Sequence, residues 1–259
     1  MFDAKKLLRS ALVFTPRLRG ARFRAEARIV RALQRPYQPE FAGLRSLPIK
    51  DPLILDIGCN RGISVESILA MRPDARIIGF EANAMLAADT TRWFASDRRV
   101  EIRPFGLGSH AHSIALHVPR YRACRLDTLA SIDRLYAERS VGSSLVYWFD
   151  PTHLHVDESV ATIQRLDDLG LGPAVIKMYV QGHEEEVLDG GAKTIASYEP
   201  VILAPSRNCA VDAKLRTAGY KRFGWSKDVF VPEADDSLYV YYMTPSRYDN
   251  LAPGLVARA

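Results

Sequence analysis

Residues 53–62 read Leu-Ile-Leu-Asp-Ile-Gly-Cys-Asn-Arg-Gly, and Glu81 follows 19 residues after Gly62. Pro52 to Ile57 is a short apolar strand carrying an acid, Asp56, near its end. Gly58 and Gly62 then let the backbone turn and approach a ligand closely. Ile63 to Met71 has helical spacing, so the first N–H groups of that helix point into the crevice above the strand. Ala75 to Phe80 reads as a second buried strand with Glu81 at its end, completing a βαβ unit. A carboxylate at that place accepts hydrogen bonds from the ribose hydroxyls of an adenosine-containing cofactor. The spacing is G-x-x-x-G, without the third glycine that serves a dinucleotide pyrophosphate. An NAD- or FAD-dependent oxidoreductase is thus a poorer fit than a protein that takes S-adenosylmethionine, which carries adenosine and no phosphate.

Outward from this unit the alternation of strands and helices continues. Val100 to Arg103 is a third strand leading into Phe105-Gly106-Leu107-Gly108, and Ser113 to Val118 is an added strand. A helix is expected from about Leu126 to Arg139, then a turn at Gly142-Ser143-Ser144. Strands follow at Ser159 to Arg165, Ala174 to Val180 and Pro200 to Leu203, helices at Glu184 to Ser197 and Val211 to Ala218, and closing strands at Asp228 to Val231 and Leu238 to Met243. Repeated β-α alternation implies an α/β domain with a mostly parallel sheet covered by helices on both faces. The expected organisation is a basic helical arm and connector over residues 1–50, one domain over 51–245 and a loose tail over 246–259.

The 259 residues are 47% hydrophobic and 25% charged, enough to bury one large core. Charged residues interrupt every apolar run short of a membrane span, and the apolar stretch Ala11 to Thr15 is too short for a secretory signal. Cys59, Cys124 and Cys209 form no CxxC pair, which fits a reducing compartment and a soluble, cytoplasmic chain. The net charge of +5 is uneven. Residues 1–37 hold ten Lys and Arg against Asp3 and Glu26, and the remaining chain holds 25 basic against 28 acidic residues. In the arm, Arg24, Arg28, Arg31 and Arg35 fall on one helical stripe, with Phe23, Ile29, Val30 and Leu33 opposite and Pro36 ending the helix. Such a helix either packs on the domain with its arginines in water or makes a peripheral contact with an anionic membrane surface. Nucleic acid is not the expected partner, because the excess of charge belongs to the arm and not to a groove.

Three segments together resemble the FkbM family of S-adenosylmethionine-dependent methyltransferases. They are Leu55-Asp56-Ile57-Gly58-Cys59-Asn60-Arg61-Gly62 with Gly79-Phe80-Glu81-Ala82-Asn83; Leu166-Asp167-Asp168-Leu169; and Val175-Ile176-Lys177-Met178-Tyr179-Val180-Gln181-Gly182-His183-Glu184 running to Glu186-Val187-Leu188-Asp189-Gly190-Gly191-Ala192. With Pro200-Val201-Ile202-Leu203 the resemblance covers roughly residues 53–203. It implies a Rossmann-like class I methyltransferase fold, with a seven-stranded, mostly parallel sheet whose last strand pair includes an antiparallel member. It also implies O-methylation of a small-molecule or glycan acceptor: a hydroxyl of a sugar, glycan, glycolipid or secondary metabolite. By position, Asp56, Gly58, Cys59, Asn60, Gly62, Glu81 and Asn83, with Gly106 and Leu107 after the third strand, form the cofactor set.

The family pattern after the fourth strand reads approximately I-K-x-D-V-E-G-x-E. This chain keeps Lys177, Gly182 and Glu184 but has Tyr179 and Gln181 at the two other acidic positions, and Ala204-Pro205 where a further acid is expected. Methyl transfer to an alcohol needs in-line geometry and a base or metal to take the proton, and tyrosine and glutamine supply neither. The catalytic candidates are therefore Lys177, Tyr179, Gln181 and His183, with His183 the replacement base. The same departures define an alternative, a cofactor-binding or scaffolding protein that has lost turnover on this fold. His110 with His112 and His153 with His155 are pairs that a metal could use, but no third ligand stands at diagnostic spacing and no metal is expected. Glu184-Glu185-Glu186 suits a helix N-terminus. Tyr147-Trp148-Phe149 and Tyr239-Val240-Tyr241-Tyr242 either stack on sugar faces or fill the core.

Overall fold

The computed structural model describes Lys6, Ser10, residues 16–234 and residues 237–257. Its strands are β1 (Leu53–Ile57), β2 (Arg76–Phe80), β3 (Val100–Arg103), β4 (Gly106–Leu107), β5 (His112–Tyr121), β6 (Cys124–Arg125), β7 (Leu154–Gln164), β8 (Val175–Met178), β9 (Val201–Pro205), β10 (Lys221–Ser226), β11 (Val229–Pro232) and β12 (Tyr239–Met243). The α-helices are α1 (Pro16–Leu33), α2 (Ile63–Met71), α3 (Ala84–Phe94), α4 (Arg134–Arg139), α5 (Glu184–Gly190), α6 (Ala192–Tyr198), α7 (Cys209–Thr217) and α8 (Pro245–Tyr248).

Strands β1, β2, β8, β9 and β12 are almost continuously buried apolar runs, as strands covered on both faces must be. They lie inside a main sheet of order β11-β10-β12-β9-β8-β1-β2-β3, in which β12 runs antiparallel to β9 and β10. This is the mostly parallel, Rossmann-like sheet that the alternation of strands and helices implies. It has eight strands where seven are expected, because β11 folds back as a hairpin on β10 through the left-handed residues Lys227 and Asp228. One core lies on each face: Ile54, Val65, Ile68 and Ile77 on one side, and Leu55, Ile78, Ile176 and Val187 on the other.

A second sheet, β4-β7-β5-β6, stands at one edge of the cleft. Strands β5 and β7 pair antiparallel from His112↔Ile163 to Tyr121↔Leu154, well beyond the short strands expected at 113–118 and 159–165. The helix expected from Leu126 to Arg139 is instead a 3-10 turn at Asp127–Leu129 and the short α4. Ser131 forms a bridge with His117, exchanging hydrogen bonds of 2.7 and 2.9 Å, so the chain is extended there. Asp133 then caps α4 by accepting from the amides of Leu135 and Tyr136. The single helix expected over 184–197 is also broken at Gly191, where Asp167 caps the start of α6 by accepting from Thr194 at 2.8 Å.

The two ends of the chain also depart from expectation. In α1 the packed face is Phe23, Ala27 and Val30, spaced i, i+4, i+7, against α2, while Ile29 and Leu33 remain 55% and 61% exposed. The arginine stripe is not wholly free: Arg31 donates to the buried Glu66 at 2.8 Å, and Arg28 lies over Trp93. Asp3, Lys5, Arg9 and the stretch Ala11 to Thr15 lie outside the described residues. The connector forms a 3-10 segment, Pro39–Ser46, whose Phe41 and Leu44 are buried in the core. The guanidinium of Arg72 donates to the carbonyls of Leu44, Leu47 and Ile49, fastening the connector to α2. The expected loose tail packs as well: Leu251 is buried, and Phe230 exchanges backbone hydrogen bonds with Leu255 and Ala257. Among the described residues no helix is long and apolar enough to cross a membrane.

Residues 39–47 therefore share the core of the sheet. Leu44→Ala is expected to cost about 2–5 kcal/mol in urea unfolding, the range for a buried leucine. Truncation of residues 1–50 should lower the thermal midpoint sharply, and a truncated chain as stable as the parent would contradict this packing.

Candidate functional site

Between β8 and β1 the strand order reverses, and at such a point a crevice opens at the carboxyl ends of the parallel strands. A cleft of about 530 Å³ occupies it. Beneath the cleft Asp56 on β1 faces Lys177 on β8 in register, with Nζ 2.7 Å from Oδ1. Lys177 also donates to the Gly58 carbonyl at 3.1 Å, and the Ser64 hydroxyl donates to the second carboxylate oxygen of Asp56. Burial alone would push the Lys177 ammonium toward its neutral form, but the charge and hydrogen bond of Asp56 together with the neighbouring Tyr239 and Cys59 outweigh it and hold Lys177 above its ordinary value.

The turn after β1 is tight. Gly58 has φ of +76°, and a Cβ there would lie 2.2 Å from the Tyr179 carbonyl oxygen, so only glycine fits. Asn60 adopts φ of +48°, and its carbonyl accepts from Thr90 Oγ1 at 2.8 Å. Glu81 reaches this turn from the end of β2. One of its oxygens accepts the Asn60 amide and the other the Asn83 amide, each at 2.9 Å. A carboxylate has roughly four acceptor sites, so each oxygen keeps capacity for a further donor. Burial raises the Glu81 carboxyl above its ordinary value, while the two amide bonds pull the other way. Burial also pushes the Cys59 thiol up.

Gly58, Cys59, Asn60, Glu81, Gly106 and Leu107 line the cleft, as do Lys177, Tyr179, Gln181 and His183. Asp56, Gly62 and Asn83 of the expected cofactor set are not among the lining residues. Asp56 is fully buried against Lys177. Gly62 starts α2 with φ of +80° and packs under Phe94. The Asn83 side chain caps α3, accepting from the amides of Met85 and Leu86. These three build the site from below.

At the rim, Gln181 has φ of +56° and its Nε2 donates to the Thr128 carbonyl at 3.2 Å. The buried Glu184 holds this bend by accepting from the amides of Val180 and Gly182, and from Asn208 Nδ2. His183 precedes α5 with Nδ1 3.7 Å from Glu186 Oε2, and both residues line the cleft. His110 and His112 line it too, with rings stacked at a centroid separation of 4.2 Å. His153 and His155 do not. Among the described residues no group of three or more His, Cys, Asp or Glu is arranged to hold a metal ion.

Sequence reasoning missed the roof and the far wall. Phe23 of α1 and Tyr37 and Phe41 of the connector line the cleft, and Arg61, ion-paired with Asp127 at 3.0 Å, lies over the Phe23 ring. Of the aromatic runs, Tyr239 lines the cleft, while Tyr241 and Tyr242 are fully buried and Phe149 stacks on Tyr121 in the core of the second sheet. Burial pushes the Tyr239 hydroxyl up to about 12. The alternation in Tyr239-Val240-Tyr241 was the available signal, since it places Tyr239 and Tyr241 on one face of β12.

The chain matches no protein-family model. It also matches no curated protein. Among solved structures it is similar to methyltransferase FkbM from Methylobacillus flagellatus, with a TM-score of 0.48 and 12% identity over 77% of this chain. The match takes in 47% of that protein, so this chain spans about half its length. It is similar to a TehB-like S-adenosylmethionine-dependent methyltransferase from Corynebacterium glutamicum, with a TM-score of 0.44 and 9% identity over 88% of this chain and 98% of that one. A third is Aeropyrum pernix fibrillarin in complex with S-adenosylmethionine, with a TM-score of 0.40 and 12% identity over 78% of this chain and 71% of that one.

The buried pair gives a direct test. Lys177→Met strands the Asp56 carboxylate without its counter-charge and is expected to cost about 3–5 kcal/mol in urea unfolding at neutral pH. Asp56→Leu combined with Lys177→Met should recover much of that loss, because no charge is left buried.

Proposed function

We propose that this chain is an S-adenosylmethionine-dependent O-methyltransferase acting on a hydroxyl of a small organic molecule. The observation that carries this reading is the position of Glu81, whose carboxylate faces the cleft beside the Gly58–Asn60 turn at the topological switch point. The residues fit an adenosine-bearing cofactor. Gly58 leaves no space for a side chain, Glu81 retains acceptor capacity for ribose hydroxyls, and Ile57, Ile63, Phe80 and Leu107 give apolar walls. When bound, S-adenosylmethionine supplies a methyl group on an electron-poor sulfonium.

The chain's own residues would orient the two partners and take the proton. Gly58, Asn60 and Glu81 form the donor side, and Tyr179, Gln181 and His183 stand at the acceptor side. Of these three residue types histidine is the one that serves as a general base, and Glu186 stands beside His183. The resemblance adds sugar, glycan, glycolipid and secondary-metabolite hydroxyls as acceptor classes. The exposed Arg24 and Arg35 on the arm support a peripheral contact with an anionic membrane surface. The second reading, a cofactor-binding protein with little turnover, is favoured by Tyr179 and Gln181 at acidic positions of the family pattern.

Calorimetric titration with S-adenosylhomocysteine tests the donor site. Glu81→Ala should weaken binding by about 1.5–3 kcal/mol, the scale for hydrogen bonds to a charged group. Its thermal midpoint is measured alongside, because Glu81 also holds the amides of Asn60 and Asn83. His183→Ala should reduce methyl transfer about 100-fold, the usual size for a general base, with cofactor affinity unchanged. A parent that binds no S-adenosylhomocysteine removes the reading, and binding without transfer to any hydroxyl favours the second.

A further inference from the structure

One position at which the family pattern carries an acid, Tyr179, is part of an aromatic wall. Tyr179, 38% exposed, lies just past the end of β8, and its ring is 5.7 Å from that of Tyr239 at the start of β12. Tyr239 in turn meets Phe41 edge-on at 5.4 Å. All three line the cleft, and Tyr37 extends the same surface toward solvent. This wall stands on the β8 side of β1, whereas Glu81 stands at the end of β2 on the opposite side. A nucleoside held on Glu81 therefore leaves the wall for the other reactant.

The chemistry of the same positions narrows what that reactant is. An aliphatic hydroxyl is about as weak an acid as water, near 15.7, and its proton must be taken by a strong base or a hard cation. Gln181 carries no ionisable oxygen, and burial holds the Tyr239 hydroxyl protonated and able to donate a hydrogen bond. A phenol ionises near 10, about five to six powers of ten more readily. Its planar ring also suits offset or edge packing on aromatic side chains, with about 0.5–1.5 kcal/mol gained per ring pair.

We infer that the acceptor is an aromatic hydroxyl compound, a phenol, whose ring packs against Tyr179, Tyr239 and Phe41. This rests on the proposed methyltransferase reading. In the step, a lone pair of the phenolic oxygen forms the new carbon–oxygen bond. The carbon–sulfur bond breaks with its electron pair returning to sulfur, which becomes a neutral thioether. The phenolic proton passes to the His183 imidazole and on to water.

The test measures S-adenosylhomocysteine affinity and methyl transfer from labelled S-adenosylmethionine on the same preparations. The acceptors are 4-nitrophenol, 4-methoxyphenol, cyclohexanol and methyl α-glucoside at one pH. Transfer to the phenols, with cyclohexanol and the glucoside inert, is expected. Tyr179→Ala should raise the KM for the phenols about three- to tenfold, and Tyr179→Phe should restore it, with S-adenosylhomocysteine affinity unchanged in both. Tyr179 is partly exposed, so these variants test the wall without opening the core. Cofactor binding with transfer to no phenol, or only to the aliphatic alcohols, overturns the inference and leaves the donor site standing. A phenol KM indifferent to Tyr179→Ala overturns the wall. Absence of cofactor binding removes the methyltransferase reading and this inference together.

Discussion

A lysine and an aspartate shut away from water bridge the two strands at which the order of the main sheet reverses. An open parallel sheet leaves a crevice at the point where strand order reverses, because the connections from the two strands there run to opposite sides. Asp56 and Lys177 span that junction in register, and Lys177 reaches one step further to the Gly58 carbonyl. The pair therefore couples sheet closure to the shape of the turn at Gly58. Its cost is desolvation of two charges, which their mutual attraction and the hydrogen bonds from Ser64 and to Gly58 offset. A neutral pair of the same volume would hold the strands, yet it would leave the Gly58 carbonyl without this partner.

Above the pair, the two sides of the cleft are built by different means. The side that carries Glu81 is mostly backbone: a glycine turn, a left-handed asparagine and a carboxylate that already satisfies two amides. The opposite side is mostly side chains drawn from distant segments, with Tyr179 after β8, Tyr239 on β12 and Phe41 from the connector. Backbone geometry tolerates few replacements, whereas a wall of side chains can be exchanged residue by residue. That asymmetry sets a conformationally constrained turn beside a wall whose side chains come from three separate segments.

The same asymmetry explains what could be read from the residues alone. The βαβ unit over 52–81 was legible because strands buried on both faces are unbroken apolar runs, and because Gly58 and Gly62 occupy positive φ. Glu81 was legible from its place after the second strand. Asp56 and Asn83 lie outside the lining of the cleft, and sequence spacing does not tell a residue facing the cleft from one buried beside or beneath it. Residues 119–156 resisted reading because their order comes from β5 and β7 pairing across a long excursion, and a bridge at Ser131 interrupts what otherwise reads as helix. The arm misled for a related reason: which stripe of α1 is covered depends on α2, so Ile29 and Leu33 stayed outside while Ala27 went in.

The roof over the cleft has a consequence for how the chain matures. Glu40 accepts the Leu238 amide with its side chain and the Tyr241 hydroxyl with its carbonyl, contacts that join positions 198 and 201 residues apart. During synthesis the connector emerges early, but its partners on β12 are among the last strands to leave the ribosome. Contacts of such sequence separation form late and slow folding. A nascent chain that has already paired β1 with β2 thus carries an open crevice with Phe41 unburied. The binding cleft becomes complete only when the whole sheet has closed, so premature engagement of ligand by a growing chain is disfavoured by topology alone.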